Sequence, residues 1–424
     1  MSHAHIFRFL PLVAAVALLA PVPRVCAQAD ALTLDEALRL AAERSRQLDA
    51  EGAAASAARD LAIAARQPPD LELTTGVTNL PVDGPDAFSL TRDFMTMRSI
   101  GLSRELTRSD KRDARAERFQ REAEAADAAG ALTLTELQRG AALAWLERHY
   151  LERAHSVLLE QREQAALQIA AADVAFRSGL GAQADAFAAR IAAGKIDDRL
   201  AESQRDVELA VTALARWIGD DATRPLASPP PMNAVSVHGG NLEEALARHP
   251  EIALMSKQEE VALADVAIAR TDQRSDWTVG VMYSRRGPGF SNMMSFNFSK
   301  PLQLYERKRE DRELAAKLAL ADRARAQREE ATREHAAETA SLLAAWNANR
   351  ARLERYSTTL IPLASERTDA VTAVYRGNNG TLTAVLDARV AEIDMRLEQL
   401  MLEMETASLW AELTYLIPGG TQHE

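Results

Sequence analysis

Two apolar periods run through the chain, one helical and one extended. Leu386, Val390, Ile393, Leu397, Leu400 and Met404 step by 4, 3, 4, 3 and 4 residues. Ile196, Leu200, Val207, Val211, Leu214 and Ile218 make nearly the same stripe two hundred residues earlier. A mean step of about 3.5 residues is a coiled-coil seam, and it predicts long packed helices. Nothing punctuates these helices for long stretches. No proline occurs between Thr107 and Gly219, and from Gln303 to Ile417 the only proline is Pro362 and the only glycines are Gly377 and Gly380. Each stretch predicts a helix of about 70 residues before a short loop, roughly 100 Å long at 1.5 Å per residue.

The second period is two. In residues 70–78, Leu71, Leu73, Thr75 and Val77 alternate with Glu72, Thr74, Gly76 and Thr78. In residues 99–106, Ile100, Leu102 and Leu106 alternate with Ser99, Gly101, Ser103 and Glu105. Trp277, Val279, Val281 and Tyr283 alternate with Thr278, Gly280, Met282 and Ser284, and Met294, Phe296 and Phe298 with Ser295, Asn297 and Ser299. Four strands follow, each with one apolar face and one face of small polar residues. Such strands suit a half-buried sheet or a membrane barrel. Four strands cannot close a barrel, and unpaired edges cannot face lipid. If these strands span a membrane, several chains must pool them.

The two periods occur twice. Leu34-Asp-Glu-Ala-Leu38 returns as Leu242-Glu-Glu-Ala-Leu246, and Phe176-Arg177, Gly181 and Arg190 return as Tyr375-Arg376, Gly380 and Arg389. The expected plan is a signal peptide (1–27), a first repeat (28–219), a proline-rich linker (220–240), a second repeat (241–418) and a tail (419–424). Each repeat reads helix, strand, strand, very long helix, loop, long helix. The signal peptide is expected because Arg8 precedes the apolar residues 9–22 and small residues follow at Val25 to Ala27. Cys26 would then be removed. Its alternative, acylation as a lipoprotein, is disfavoured by Pro23-Arg24-Val25, where small or aliphatic residues are wanted. The net charge of −11 argues against nucleic acid as a partner, and a single cysteine rules out a disulfide framework or a Cys-x-x-Cys zinc site.

Over essentially the whole expected mature chain, the sequence resembles the TolC family of outer-membrane efflux channels. The duplicated plan, Leu32-Thr-Leu-Asp-Glu-Ala-Leu38, the strand-to-helix junctions, and the run from Tyr375-Arg376 to Val385-Leu386-Asp387-Ala388-Arg389 carry that resemblance. It implies a mostly helical protomer with a small β part, completing a trimer with a β-barrel in the outer membrane and an α-helical tunnel in the periplasm. It also implies a periplasmic adaptor (membrane fusion) protein and an inner-membrane pump of the resistance-nodulation-division type as partners, with outer-membrane lipid around the barrel. The segment from Asn79-Leu-Pro-Val-Asp-Gly-Pro to Phe94-Met-Thr-Met97 is similar to the heavy-metal branch, the channels of cobalt–zinc–cadmium or copper–silver pumps. Asn378 stands where relatives carry a loop glycine.

The resemblance makes the two helix–helix loops the adaptor-docking tips: Arg177, Ser178, Gly179, Leu180 and Gly181, and Arg376, Gly377, Asn378, Asn379, Gly380, Thr381 and Leu382. A plain turn needs the same glycines and asparagines. Glu366 and Asp369 are candidates for a gate, since carboxylates repeated around a lumen select cations. Asp369 resembles the family's periplasmic constriction acid, while a solvated helix face would place it equally well. No cofactor, metal or catalytic residue is expected. Met95, Met97, Met282, Met293 and Met294 read as packing, His149, Glu152 and His155 lack the spacing of a helical zinc motif, and His335 looks isolated. Without nucleotide-binding or nucleophile motifs an enzyme is not expected. The competing reading is a periplasmic coiled-coil scaffold or adaptor with a small soluble sheet.

Overall fold

The computed structural model describes residues 31–179, 181–235, 246, 248–377 and 379–416. The expected signal peptide, the tail and the leucine-rich start of the second repeat (242–245) lie outside these residues. Helices α1 (Leu34–Arg44) and α2 (Arg46–Arg66) lead to strands β1 (Glu72–Thr78) and β2 (Met97–Leu106). The 69-residue α3 (Ser109–Arg177) and α4 (Gln183–Ile218) follow. Then come α5 (Pro250–Asp272), β3 (Trp277–Arg285), β4 (Met293–Ser299), α6 (Glu310–Arg355), α7 (Ile361–Arg376) and α8 (Leu382–Thr414). The fold is mostly α with one small antiparallel sheet. Among the described residues no helix is long and apolar enough to cross a membrane.

The helices form two bundles end to end, because α3 and α6 are long enough to serve both. In the bundle next to the sheet, α2 and α5 pack on the first halves of α3 and α6. Ion pairs tie these helices across their polar flanks: Arg118 to Asp265 (3.1 Å), Lys257 to Glu124 (3.0 Å) and Arg328 to Glu259 (2.8 Å). In the far bundle, α4, α7 and α8 replace α2 and α5. Every seventh residue from Ala116 to Ala172 on α3 is buried or half-buried. On α8 the same seven-residue step runs through Leu386, Ile393, Leu400, Ala407 and Thr414, all buried. A strict seven-residue seam holds helices in left-handed coiled-coil packing. Much of the seam is alanine (Ala165, Ala172, Ala186, Ala189 and Ala193 are all buried), which lets backbones approach closely.

Midway along α3 a belt of large side chains joins the bundles. Trp145, Leu146, Leu214 and Leu413 are fully buried there, with Trp346, Trp410 and Tyr415 around them. The Trp145 indole N–H donates to the carbonyl of Leu32 (3.2 Å). Gly140 sits inside α3 because the ring of Trp217 lies 2.4 Å from where its Cβ would be.

Two details go beyond the expected plan. Residues 220–235, the described part of the expected linker, pack on the bundles. Leu32 donates to the carbonyl of Pro225 and Ala227 to that of Leu32, and Leu226, Met232 and Val235 pack on the belt. Proline removed donors from this segment, but its apolar side chains still had a core to reach. The described part of the expected linker is thus a strap; residues 236–240 lie outside the described set. The second very long helix runs without a gap from Glu310 to Arg376, but it changes geometry once. Between α6 and α7, residues Tyr356–Leu360 form a π-helical turn, with the Ile361 N–H donating five residues back to Tyr356. Pro362 lacks an N–H and its ring collides with the carbonyl four residues earlier, and the wider turn accommodates it.

Candidate functional site

The strands pair in the order β1-β2-β3-β4, all antiparallel. Register puts Leu73, Leu102, Val281 and Phe296 in one row, and Thr75, Ile100, Tyr283 and Met294 in the next. The opposite face carries Thr74, Gly101, Met282 and Ser295, and Gly76, Ser99, Ser284 and Met293. Both expected faces cross all four strands in these rows; nearer the helical end Arg104, in register with Val279 and Phe298, breaks the apolar face, its guanidinium donating to the Pro69 carbonyl (2.7 Å). From Trp277 to Tyr283 the apolar face is about 20 Å tall at 3.3–3.4 Å per residue, close to the band of a membrane barrel. Arg98 and Arg285, paired across β2 and β3, mark one end of it. Every residue of the outer strands β1 and β4 is exposed, so both edges and both faces are uncovered in the single chain.

The sheet is anchored at both ends. At the helical end, Asp276 accepts from the backbone N–H of Arg108 and from Lys111 (both 3.1 Å), and Lys111 also reaches Asp272 at 2.8 Å. At the other end, Arg286 donates to the carbonyl of Phe94 (2.6 Å), and a Cβ on Gly287 would meet the Thr91 carbonyl at 1.8 Å. That close approach requires glycine. The two strand-connecting loops are thereby held together.

The hairpin tips lie side by side at the far end of the helices. Gly179 takes φ +74°, the left-handed turn that glycine permits. Arg177, Ser178, Arg376, Gly377, Asn379, Gly380 and Thr381 are exposed, and Gly181 is half-buried. Leu180 and Asn378 lie outside the described residues. Thr381 caps α8, its hydroxyl accepting from the Ala384 N–H (3.3 Å). Leu382 differs from expectation: it is 3% exposed and packs with Ala172, Ala186, Ala189 and Leu386. It fastens one tip to the other and offers no surface for docking. Glu366 and Asp369 are exposed on α7, on either side of the buried Thr368, and neither has an ion-pair partner among the described residues.

The other singled-out side chains do not converge on one site. His149 stacks on Trp145 (5.5 Å, 3°) and Glu152 pairs with the buried Arg148 (2.7 Å). Met293 and Met294 point to opposite faces of β4. His335, however, is not isolated. Its Nε2 lies 2.8 Å from Glu251 and its ring centroid 4.2 Å from that of His249. Burial, with His335 alongside, draws the His249 imidazole down to about 4, so that ring is neutral. Sequence reading missed this cluster because its members stand 84 and 86 residues apart; the only local signal was His249-Pro-Glu251 opening a helix.

Residues 241–418 match the family described as outer membrane efflux protein. The same fold occurs in a membrane protein of Pseudomonas aeruginosa (17% identity, 90% of this chain and 93% of that one, TM-score 0.76). It occurs also in the outer-membrane protein VceC of Vibrio cholerae (19%, 90% and 95%, TM-score 0.73). The open state of the MtrE outer-membrane channel of Neisseria gonorrhoeae shares it too (18%, 91% and 89%, TM-score 0.74). At these identities the likeness is one of fold. No curated protein matches the sequence.

Proposed function

We propose that the chain is the outer-membrane channel of an efflux system, a passive duct from the periplasm to the exterior. The observation that carries this reading is the sheet. Apolar rows cross all four strands on one face, broken only by Arg104, polar rows cross them on the other, and among the described residues the outer edges of β1 and β4 are unpaired. A soluble sheet would bury one face and cover its edges. Pooling sheets from several copies, β4 of one chain against β1 of the next, satisfies every edge and turns the apolar faces to lipid. The match of residues 241–418 to the outer membrane efflux family supports the same reading.

Three copies would give twelve strands, and the coiled-coil hairpins would continue the barrel into the periplasm as a tunnel. In that assembly the tips, residues 177–181 and 376–381, face a periplasmic adaptor, and an inner-membrane pump of the resistance-nodulation-division type supplies the energy. Asp369, with Glu366, would ring the lumen near the mouth. Heavy-metal ions are the proposed cargo, on the resemblance of residues 79–97. The test is fractionation. The protein should be recovered in the outer membrane as an oligomer that heat dissociates, with cysteines on β1 and β4 cross-linking between chains. Recovery as a soluble periplasmic monomer would overturn it in favour of a scaffold.

A further inference from the structure

We propose that His249, Glu251 and His335 bind a divalent transition-metal ion, with zinc the best fit, where α5 meets α6 and the central belt. The three residues each offer a donor atom, and these atoms all lie within 4.8 Å of one another. Zinc takes nitrogen and oxygen donors at about 2.0–2.2 Å, which spaces them about 3.3 Å apart, so closure needs only small side-chain shifts. The donor set, two imidazoles and one carboxylate, is one that zinc accepts with a water or a further carboxylate in the fourth position.

The hydrogen bonding around His335 points the same way. Its Nε2 faces Glu251 at 2.8 Å and its Nδ1 faces Glu338 at 3.4 Å. A metal bound at Nε2 beside Glu251 would leave Nδ1–H to donate to Glu338. A carboxylate holding the distal nitrogen of a ligating histidine is the usual outer partner of a zinc site. His249 is 6% exposed, and its Nδ1 accepts the Glu251 N–H at 3.3 Å, long for a hydrogen bond, so the ring gives up little in turning to a metal.

The surroundings suit a cation. The residues border a cavity of about 110 Å³ that Glu136, Arg139, Glu412 and Tyr415 also line. The start of α5 carries partial positive charge and opposes a cation there. Among the described residues that line the cavity, four carboxylates, Glu136, Glu251, Glu338 and Glu412, face one arginine, Arg139, and outweigh it. A metal here would fasten the start of α5 to the middle of α6, remote in sequence from the tips and the sheet. It would be a resident ion, separate from any cargo.

The experiment uses the tag-free, detergent-purified oligomer, stripped with chelator and titrated with Zn²⁺ against a chromophoric competitor. One ion per chain is expected, with a raised melting temperature. His335→Ala and Glu251→Gln should abolish stoichiometric binding while oligomer and helix content stay normal, and Glu338→Gln should weaken it by about 10–100-fold. Co²⁺ in place of Zn²⁺ should give visible absorption bands that the His335→Ala variant lacks. Absence of saturable binding to the unaltered protein, or equal binding by the double variant Glu251→Gln/His335→Ala, would overturn the proposal and leave a proton-bridged pair.

Discussion

Phe296 and Asn297 are neighbours on β4, and exchanging each for arginine separates a membrane sheet from a soluble one. Phe296 is the central residue of the strand, pairs with Val281 on the apolar face, and is 67% exposed in the single chain. Asn297 pairs with Gly280 on the polar face and is also exposed. In water the two substitutions should be equally mild, within about ±0.5 kcal/mol, because neither side chain is buried. In a barrel they diverge. Arginine on the lipid face at mid-membrane costs about 2–4 kcal/mol, and a three-chain barrel meets that cost three times, about 6–12 kcal/mol in all. Asn297→Arg would sit in the lumen at little cost. Each variant would be expressed, the outer membrane isolated, and the oligomer followed on unheated gels over a temperature series. Phe296→Arg should lose most of its oligomer or dissociate far below the unaltered protein, while Asn297→Arg should match it. Equal behaviour of the pair, or greater damage from Asn297→Arg, would refute the assignment of faces.

Four further outcomes follow from the same geometry. Leu382→Asp places an unpaired carboxylate in the packed joint between the tips, and should lower the melting temperature, whereas Thr381→Val should remove only a cap, about 1 kcal/mol; an unchanged melt for Leu382→Asp would contradict its burial. Asp369→Ala should raise single-channel conductance and reduce cation preference in planar bilayers, and unchanged values would return Asp369 to a solvated helix face. Trp145→Ala should cost about 3–5 kcal/mol, read as loss of oligomer in denaturant, since it empties the centre of the belt. Burial, reinforced by Glu403, lifts the Tyr150 phenol to about 12 from an ordinary 10. The folded state therefore holds that proton more tightly, and the stability it confers is complete below pH 10 and lost as pH rises from 10 to 12; Tyr150→Phe should flatten that loss in denaturation curves.

What the sequence shows of this fold is what depends on short-range periodicity. The step from Leu386 to Leu400 reports a seam because every member lies on one helix, and Leu73 beside Glu72 reports two faces because alternation is a property of one strand. The four strands were legible in the same way, each read from its own alternation. Interactions that join distant segments were not. Pro225, Pro229, Pro230 and Pro231 read as a linker and give no sign that Leu32, nearly two hundred residues earlier, completes a backbone bridge at Leu226. Leu382 looked like tip surface because it follows a loop, but its direction is set by Ala172 and Ala186 on other helices. Glycine carried two meanings that spacing does not separate: Gly179 turns the chain, while Gly140 makes room for a ring on a different helix.

The same limit explains why the tips and the gate differ in standing from the sheet. A strand face is tested within one chain, since its register fixes what lies beside it. Asp369 is exposed in the single chain under either reading, because a lumen and bulk water both leave a carboxylate uncovered; only the copies around it give the charge a function. Three carboxylates around one axis repel each other and hold cations between them, whereas one on an outer face does neither. The exposed sides of α7, which packs chiefly on α8, and the bare edges of β1 and β4 are therefore one problem. In the proposed assembly both are surfaces that this chain leaves for another copy of itself, and closing the sheet also decides where Asp369 points.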